Sequence, residues 1–168
     1  MSVDIVQLFH GDDLTEIKSL LVEFKDFLIN DQGVPVENWQ GFQQEIDSLP
    51  GKYSNRSKGL MFVARLNSKA VGSVFLRQLP FIDGVIPQES GEVKRLYVIP
   101  EARGLGISKK LMETLHSVSK AEGYKHLFLD TLERLNQAVN LYKSIGYKPA
   151  PAYCENPMHD VVYLMFDL

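Results

Sequence analysis

Residues Glu92 to Glu122 restrict the fold more than any other part of the chain. Glu92-Val93-Lys94-Arg95-Leu96-Tyr97-Val98 reads as a strand, Pro100 breaks it, and Arg103-Gly104-Leu105-Gly106-Ile107-Ser108 is a glycine turn that opens into a long helix. Ile107, Leu111, Leu115 and Val118 line one face of that helix, which must therefore be buried against something. A glycine turn on a helix N-terminus also leaves backbone N–H groups unpaired, with the positive end of the helix dipole behind them. That arrangement suits a phosphate.

The remaining pattern supplies a sheet for this unit to pack on. Val3 to Phe9 alternates as a strand, and Asp13 with Glu16 resembles a capping box before a helix striped by Leu14, Ile17, Leu21, Phe24 and Leu28. A shorter stripe, Trp39, Phe42, Ile46 and Leu49, ends at Pro50-Gly51. Gly59 to Leu66 and Lys69 to Arg77 form a hairpin around Asn67-Ser68, and Leu79 to Gly91 is a loop broken by prolines and glycines. After the long helix come a strand at Lys125 to Leu132, a helix carrying Leu135, Ala138, Val139, Tyr142 and Ile145 up to Gly146, and strand-like runs at Tyr147 to Tyr153 and Val161 to Leu168. The order β-α-α-β-β-β-α-β-α-β-β specifies an α/β fold with a mixed sheet, read as a single domain over residues 1–168.

Composition excludes several functions. A net charge of −3 without any basic block argues against general nucleic-acid binding. No apolar run is long enough to cross a bilayer, and Met1-Ser2-Val3-Asp4 lacks the basic start of a signal peptide, which points to a cytoplasmic protein that binds no membrane. Cys154 is the only cysteine and reads as a partly buried apolar residue. His10, His116, His126 and His159 have no metal-ligand spacing, so no metal is expected.

The glycine spacing differs from both the dinucleotide fingerprint and the Walker loop. It resembles instead the Arg/Gln-x-x-Gly-x-Gly/Ala turn of the GNAT-family N-acetyltransferases, here Arg103-x-x-Gly106-x-Ser108, with Ser108 departing at the last small position. Glu92 to Val98 with Pro100 is similar to that family's fourth strand, and Ala138-x-x-Leu141-Tyr142-x-x-x-Gly146-Tyr147 to its last helix. Asn156-Pro157 before the final strand resembles one bacterial branch of small-molecule or amino-acid acetyltransferases. The likeness covers Gly59 to Leu168 closely; before that only the element order agrees.

The resemblance implies a mostly antiparallel sheet flanked by helices, with acetyl-CoA held where the fourth and fifth strands splay. Backbone groups of Leu96, Tyr97 and Val98 would pair with the pantetheine arm, and amides of Arg103, Gly104, Leu105, Gly106, Ile107, Ser108 and Lys109 would hold the pyrophosphate. Tyr142 would protonate the leaving thiolate and contact the cofactor, and a backbone N–H near Val98 would stabilise the oxyanion. Apart from the resemblance, Tyr142 reads as a core tyrosine on an apolar helix face. For the base, Glu92 ranks ahead of Asp130, although a solvated or salt-bridged role fits each. Many relatives place an asparagine seven residues before the tyrosine; here that position is Leu135, and Asn136 is its neighbour.

The expected reaction is direct attack by a small-molecule primary amine on acetyl-CoA in a ternary complex, with a protein or peptide acceptor, or a non-catalytic CoA-binding module, as alternatives. Asp83, Glu89 and Glu92 hint at an acidic acceptor side. A homodimer is a further expectation, with Met158 to Leu168 as a possible shared edge.

Overall fold

The computed structural model describes residues 2–168. Its elements are β1 (Val3–Leu8), α1 (Thr15–Asn30), α2 (Phe42–Ser48), β2 (Leu60–Leu66), β3 (Lys69–Gln78), β4 (Ser90–Val98), α3 (Ile107–Ala121), β5 (His126–Leu132), α4 (Asn136–Ser144), β6 (Lys148–Pro149) and β7 (Val161–Asp167), joined in places by short 3-10 turns. The seven strands form one sheet in the order β1-β2-β3-β4-β5-β7-β6. Only β4 and β5 pair in parallel; the other neighbours are antiparallel. The α/β reading, the mixed sheet and the element order are all observed.

Two helices sandwich the central strands. Tyr97 packs its ring on Phe24 and Phe27 of α1, whereas its neighbour Val98 meets Leu111 of α3 beside Gly72. Successive strand residues point to opposite faces, so α1 and α3 cover opposite sides of the sheet. Ile107, Leu111 and Leu115 of α3 are buried, as the periodicity predicts, while Val118 is only partly buried and Met112, outside the expected stripe, is buried too; all join the core formed by β2 and β3. Truncating a side chain such as Leu111 to Ala would cost about 2–5 kcal/mol.

Local details depart from the sequence reading where a long-range partner competes. Asp13 accepts from the Thr15 N–H and hydroxyl, but α1 begins at Thr15, and Glu16 ion-pairs with Arg65 of β2 instead of closing a capping box. Asn67 and Ser68 both take positive φ (50° and 69°), giving the tight hairpin turn that the sequence predicts. The Leu79–Gly91 segment is partly ordered into a small closure, with Ile82 bridging Ile86 and Ile86 buried. The run Tyr147 to Tyr153 supplies only the two residues of β6, because Pro149 and Pro151 have no N–H to continue a ladder. Among the described residues, no helix is long and apolar enough to cross a membrane.

Candidate active site

The sheet opens between β4 and β5. Their parallel pairing covers only Ser90–Glu92 against His126–Phe128, after which β5 follows β7 and β4 turns away. The turning point is a bulge. Arg95 has φ 59°, and the β3–β4 register shifts between Ser73 and Phe75. A non-glycine residue in the left-handed region costs about 1–3 kcal/mol and persists only when its surroundings hold it. Here the buried Ser73 hydroxyl donates to the Arg95 carbonyl at 3.0 Å, and the Arg95 guanidinium ion-pairs with Glu45 of α2 at 2.6 Å.

Beyond the bulge, β4 faces the opening with unpaired backbone. The Ile99 N–H donates to the Val71 carbonyl, so strand alternation turns the Val98 N–H and C=O the other way, toward β5. The Val98 carbonyl is taken by Arg103 Nε at 3.0 Å, which leaves the Val98 N–H on the open side. Arg103 itself lies flat over Phe27 (4.8 Å) and Tyr97 (5.8 Å). The Tyr97 hydroxyl donates to Glu23 of α1, and burial together with that carboxylate pushes its pKa up to about 12.

Gly104 and Gly106 carry φ of 80° and 73°, the left-handed conformation in which a side chain would be strained. Gly106 is the residue preceding α3, and no side chain caps that helix. The first-turn N–H groups therefore remain available, as the sequence implies. Leu96, Tyr97, Val98, Arg103, Gly104, Gly106, Ile107, Ser108 and Lys109 line one groove of about 710 Å³, with Leu135, Asn136 and Ala138 opposite. Leu105 is half exposed and lies outside that lining, and the Ile107 side chain is in the core, so only its backbone can serve a ligand.

A second cavity, about 540 Å³, lies on the other side of the opening and shares Phe24, Leu28, Leu96, Leu135 and Ala138 with the groove. The two spaces meet at those walls. Tyr142 is buried and lines the second cavity, and its hydroxyl has no hydrogen-bond partner among the described residues. Burial, and then the charge of Asp130, raise its pKa well above the ordinary phenol value, so it stays protonated and able to donate.

The carboxylates fall differently from their ranking in the sequence. Glu92 is buried outside both linings, ion-paired with Arg77, 3.4 Å from Lys94 Nζ and hydrogen-bonded by the Tyr153 hydroxyl at 2.9 Å. Asp130 does line the second cavity, accepting from Asn156 at 2.8 Å and lying 3.6 Å from Lys94. Asp83 and Glu89 are exposed loop residues outside the cavity, Glu89 being paired with Lys125. Ligand atoms of Glu92, Asp130 and Cys154 come within 4.8 Å of one another, but the Lys94 ammonium already lies against both carboxylates. Burial, followed by Asp130 and Glu92, pushes the Cys154 thiol up to about 11, which suits neither a nucleophile nor a metal ligand. The residues that sequence reasoning missed are Trp39, Glu45, Lys52 and Arg95 at the cavity and Ser73 behind the bulge. The β-bulge has no local signal beyond two adjacent cations in a strand.

The family model described as Acetyltransferase (GNAT) family matches residues 17–147. The chain belongs to the GNAT family of acetyltransferases. An uncharacterized N-acetyltransferase of Schizosaccharomyces pombe is 34% identical over 169 residues, covering 100% of this chain and 95% of the relative. Another, from Dictyostelium discoideum, is 28% identical and covers 100% of both chains. These relatives are eukaryotic; they support the family and not the bacterial branch that Asn156-Pro157 suggested. Among solved structures, the PaiA N-acetyltransferase of Thermoplasma acidophilum in complex with coenzyme A superposes with a TM-score of 0.74 at 20% identity over 100% of both chains, a likeness of fold. As a GNAT protein the chain is an acyltransferase, and its front third, where the sequence pattern shows only element order, supplies the α1 and α2 walls of the second cavity.

Proposed function

We propose that this GNAT enzyme, acting as one domain in the cytoplasm, transfers the acetyl group of acetyl-CoA to the primary amine of a small molecule by direct attack in a ternary complex. The observation that carries the reading is the meeting of two cavities at Leu96, Leu135 and Ala138, with Tyr142 on the acceptor side. In this reading acetyl-CoA lies along β4 as an added strand, pairing with backbone of Leu96 to Val98. Its pyrophosphate sits on amides from Arg103 to Lys109, and the Arg103 guanidinium, oriented by Phe27, Tyr97 and Val98, adds positive charge. The thioester carbonyl then reaches the Val98 N–H, which receives the developing oxyanion.

The amine enters through the second cavity, whose volume of about 540 Å³ suits a small molecule better than a protein segment. Asp130 takes the ammonium proton, directly or through water, and Glu92 acts behind it by fixing Lys94. The amine nitrogen bonds to the acyl carbon, the tetrahedral intermediate collapses, the C–S bond breaks, and Tyr142 donates its proton to the departing thiolate; the second proton shed by the nitrogen as the amide forms returns to the Tyr142 oxygen, directly or through water. The raised Cys154 pKa favours this single displacement over an acyl-enzyme.

Thiol release from acetyl-CoA across a panel of amino acids, polyamines, aminoglycosides and peptides tests the reading. Turnover of a small amine with intersecting initial-velocity lines is the expected result. Parallel lines would replace direct attack with an acyl-enzyme, turnover of peptides alone would move the acceptor to protein, and tight acetyl-CoA binding without thiol release would leave a binding module.

A further inference from the structure

Charged side chains of both signs line the acceptor cavity, Glu45, Lys52 and Arg95 at one end and Lys94, Asp130 and Glu155 toward the other. Against α2 lie Lys52, Glu45 and Arg95, where Glu45 is already engaged by Arg95 Nη2 and the Tyr53 hydroxyl. Only Nη2 of Arg95 meets a carboxylate; its Nε has no acceptor among the described residues, nor has Trp39 Nε1 beside it. Lys52 has no ion-pair partner among the described residues. Burial lowers its pKa, Glu45 opposes that, and Arg77, Arg95 and Lys94 add smaller downward contributions. At the other end Asp130, with Lys94 Nζ 3.6 Å away, and the exposed Glu155 lie with Tyr142 and Asn156, so that two carboxylates face one ammonium. Between the ends run apolar walls from Phe24, Leu28, Trp39 and Phe42.

A bare amine would satisfy the Asp130 end and leave the Lys52–Arg95 end without a counter-charge. An amine that also carries a carboxylate would serve both, with its amino group beside Asp130 and the thioester. Building on the acetyl-transfer reading above, we propose that the acceptor is an amino-acid-like amine whose carboxylate is bound by Lys52 and Arg95 and whose apolar side group lies on Trp39 and Phe42. Lys52, exposed at the rim, is the cation that meets the carboxylate first; Arg95 is held over the Trp39 and Phe42 rings at 5.9 and 5.4 Å and cannot swing away without losing them. The same contacts that lock the bulge thus fix the carboxylate-binding group next to the strand that would carry acetyl-CoA.

The test uses four matched probes: L-phenylalanine, L-phenylalaninamide, phenethylamine and 3-phenylpropionate. Thiol release from acetyl-CoA is followed with the three amines, and calorimetric binding of all four is measured on the protein saturated with coenzyme A. We expect kcat/KM for phenylalanine to exceed that for the amide and the decarboxylated amine by about tenfold or more, and 3-phenylpropionate to bind and to compete with phenylalanine. Lys52→Met, a change at the exposed rim that leaves the Arg95–Glu45 pair intact, should lower that ratio about threefold or more without abolishing it, Arg95 remaining; an unchanged ratio would count against the inference. Equal or greater turnover of the amide or of phenethylamine overturns the inference while leaving acetyl transfer standing. Carboxylate-dependent binding with no turnover of any amine leaves the inference standing and removes acetyl transfer. Failure of all four probes to bind overturns it.

Discussion

The donor groove and the acceptor cavity adjoin each other but are built in different ways. The groove draws its main parts from one run of sequence, Leu96 to Lys109, and what it offers a ligand is largely backbone: the open side of β4 and the uncapped first turn of α3. The cavity is assembled from α1, α2, the β4 bulge, β5, α4 and the 155–158 segment, and offers side chains. Backbone chemistry is the same for every residue type, so the groove can serve one fixed donor across diverse sequences. Side-chain chemistry changes with each substitution, which under the proposed function makes the cavity the place where acceptor choice resides.

This contrast can be broken most severely at the point where the two regions meet. Tyr142→Phe removes the proposed proton donor but keeps the ring, and should lower kcat at saturating acetyl-CoA by about 10²-fold or more while acetyl-CoA affinity changes little. An unchanged kcat would free Tyr142 from the role of acid. On the donor side alone, Ser108→Phe should weaken acetyl-CoA binding about tenfold or more by blocking the approach of phosphate to the turn, with thermal stability retained, as read by calorimetry and melting. Unaltered affinity would place the phosphates elsewhere.

Behind both regions, Ser73→Ala leaves the Arg95 carbonyl without its donor and should cost about 1–3 kcal/mol in denaturant unfolding. Because the bulge sets both the open strand and the cavity wall, kcat should fall with it; loss of stability alone would make the bulge a purely structural device. Two smaller effects concern pH. Tyr142 is raised above the ordinary phenol value, so its acid form persists to higher pH, and kcat should show no alkaline limb from this group up to pH ~9. For Glu45, burial opposes ionisation, but the Arg95 charge and the hydrogen bonds from Arg95 and Tyr53 outweigh it and lower its pKa below 4.5. The stability this contributes is present above that ordinary value and is lost as pH falls through the lower folded one, so Glu45→Gln should flatten the acid limb of the stability profile.

The parts of the molecule that could be read from sequence are those where neighbours in the chain decide the outcome. The Asn67-Ser68 turn, the α3 face and the Gly106 helix start depend on local φ and on periodicity, and all are found as expected. The capping box was lost because Glu16 found Arg65 across 49 residues. Glu92 was legible as a strand carboxylate but not as one enclosed by Arg77, Lys94 and Tyr153, since Arg77 and Tyr153 come from two other places in the chain and only Lys94 is near, two residues on. The cationic end of the cavity was invisible for the same reason: Lys52 and Arg95 are 43 positions apart, and nothing in either sequence neighbourhood points to the other.

The narrow pairing of β4 with β5 also has a mechanical meaning. Among the described residues, three residue pairs are the only ladder joining the β1–β4 half of the sheet to the β5–β7–β6 half, so the sheet is bound like a book along a short spine. A ligand pairing with the open length of β4 and touching α4 across the gap would act as a strut between the two covers. Catalysis and architecture would then share a part: the molecule that delivers the acetyl group would also set the angle at which the acceptor cavity stands open.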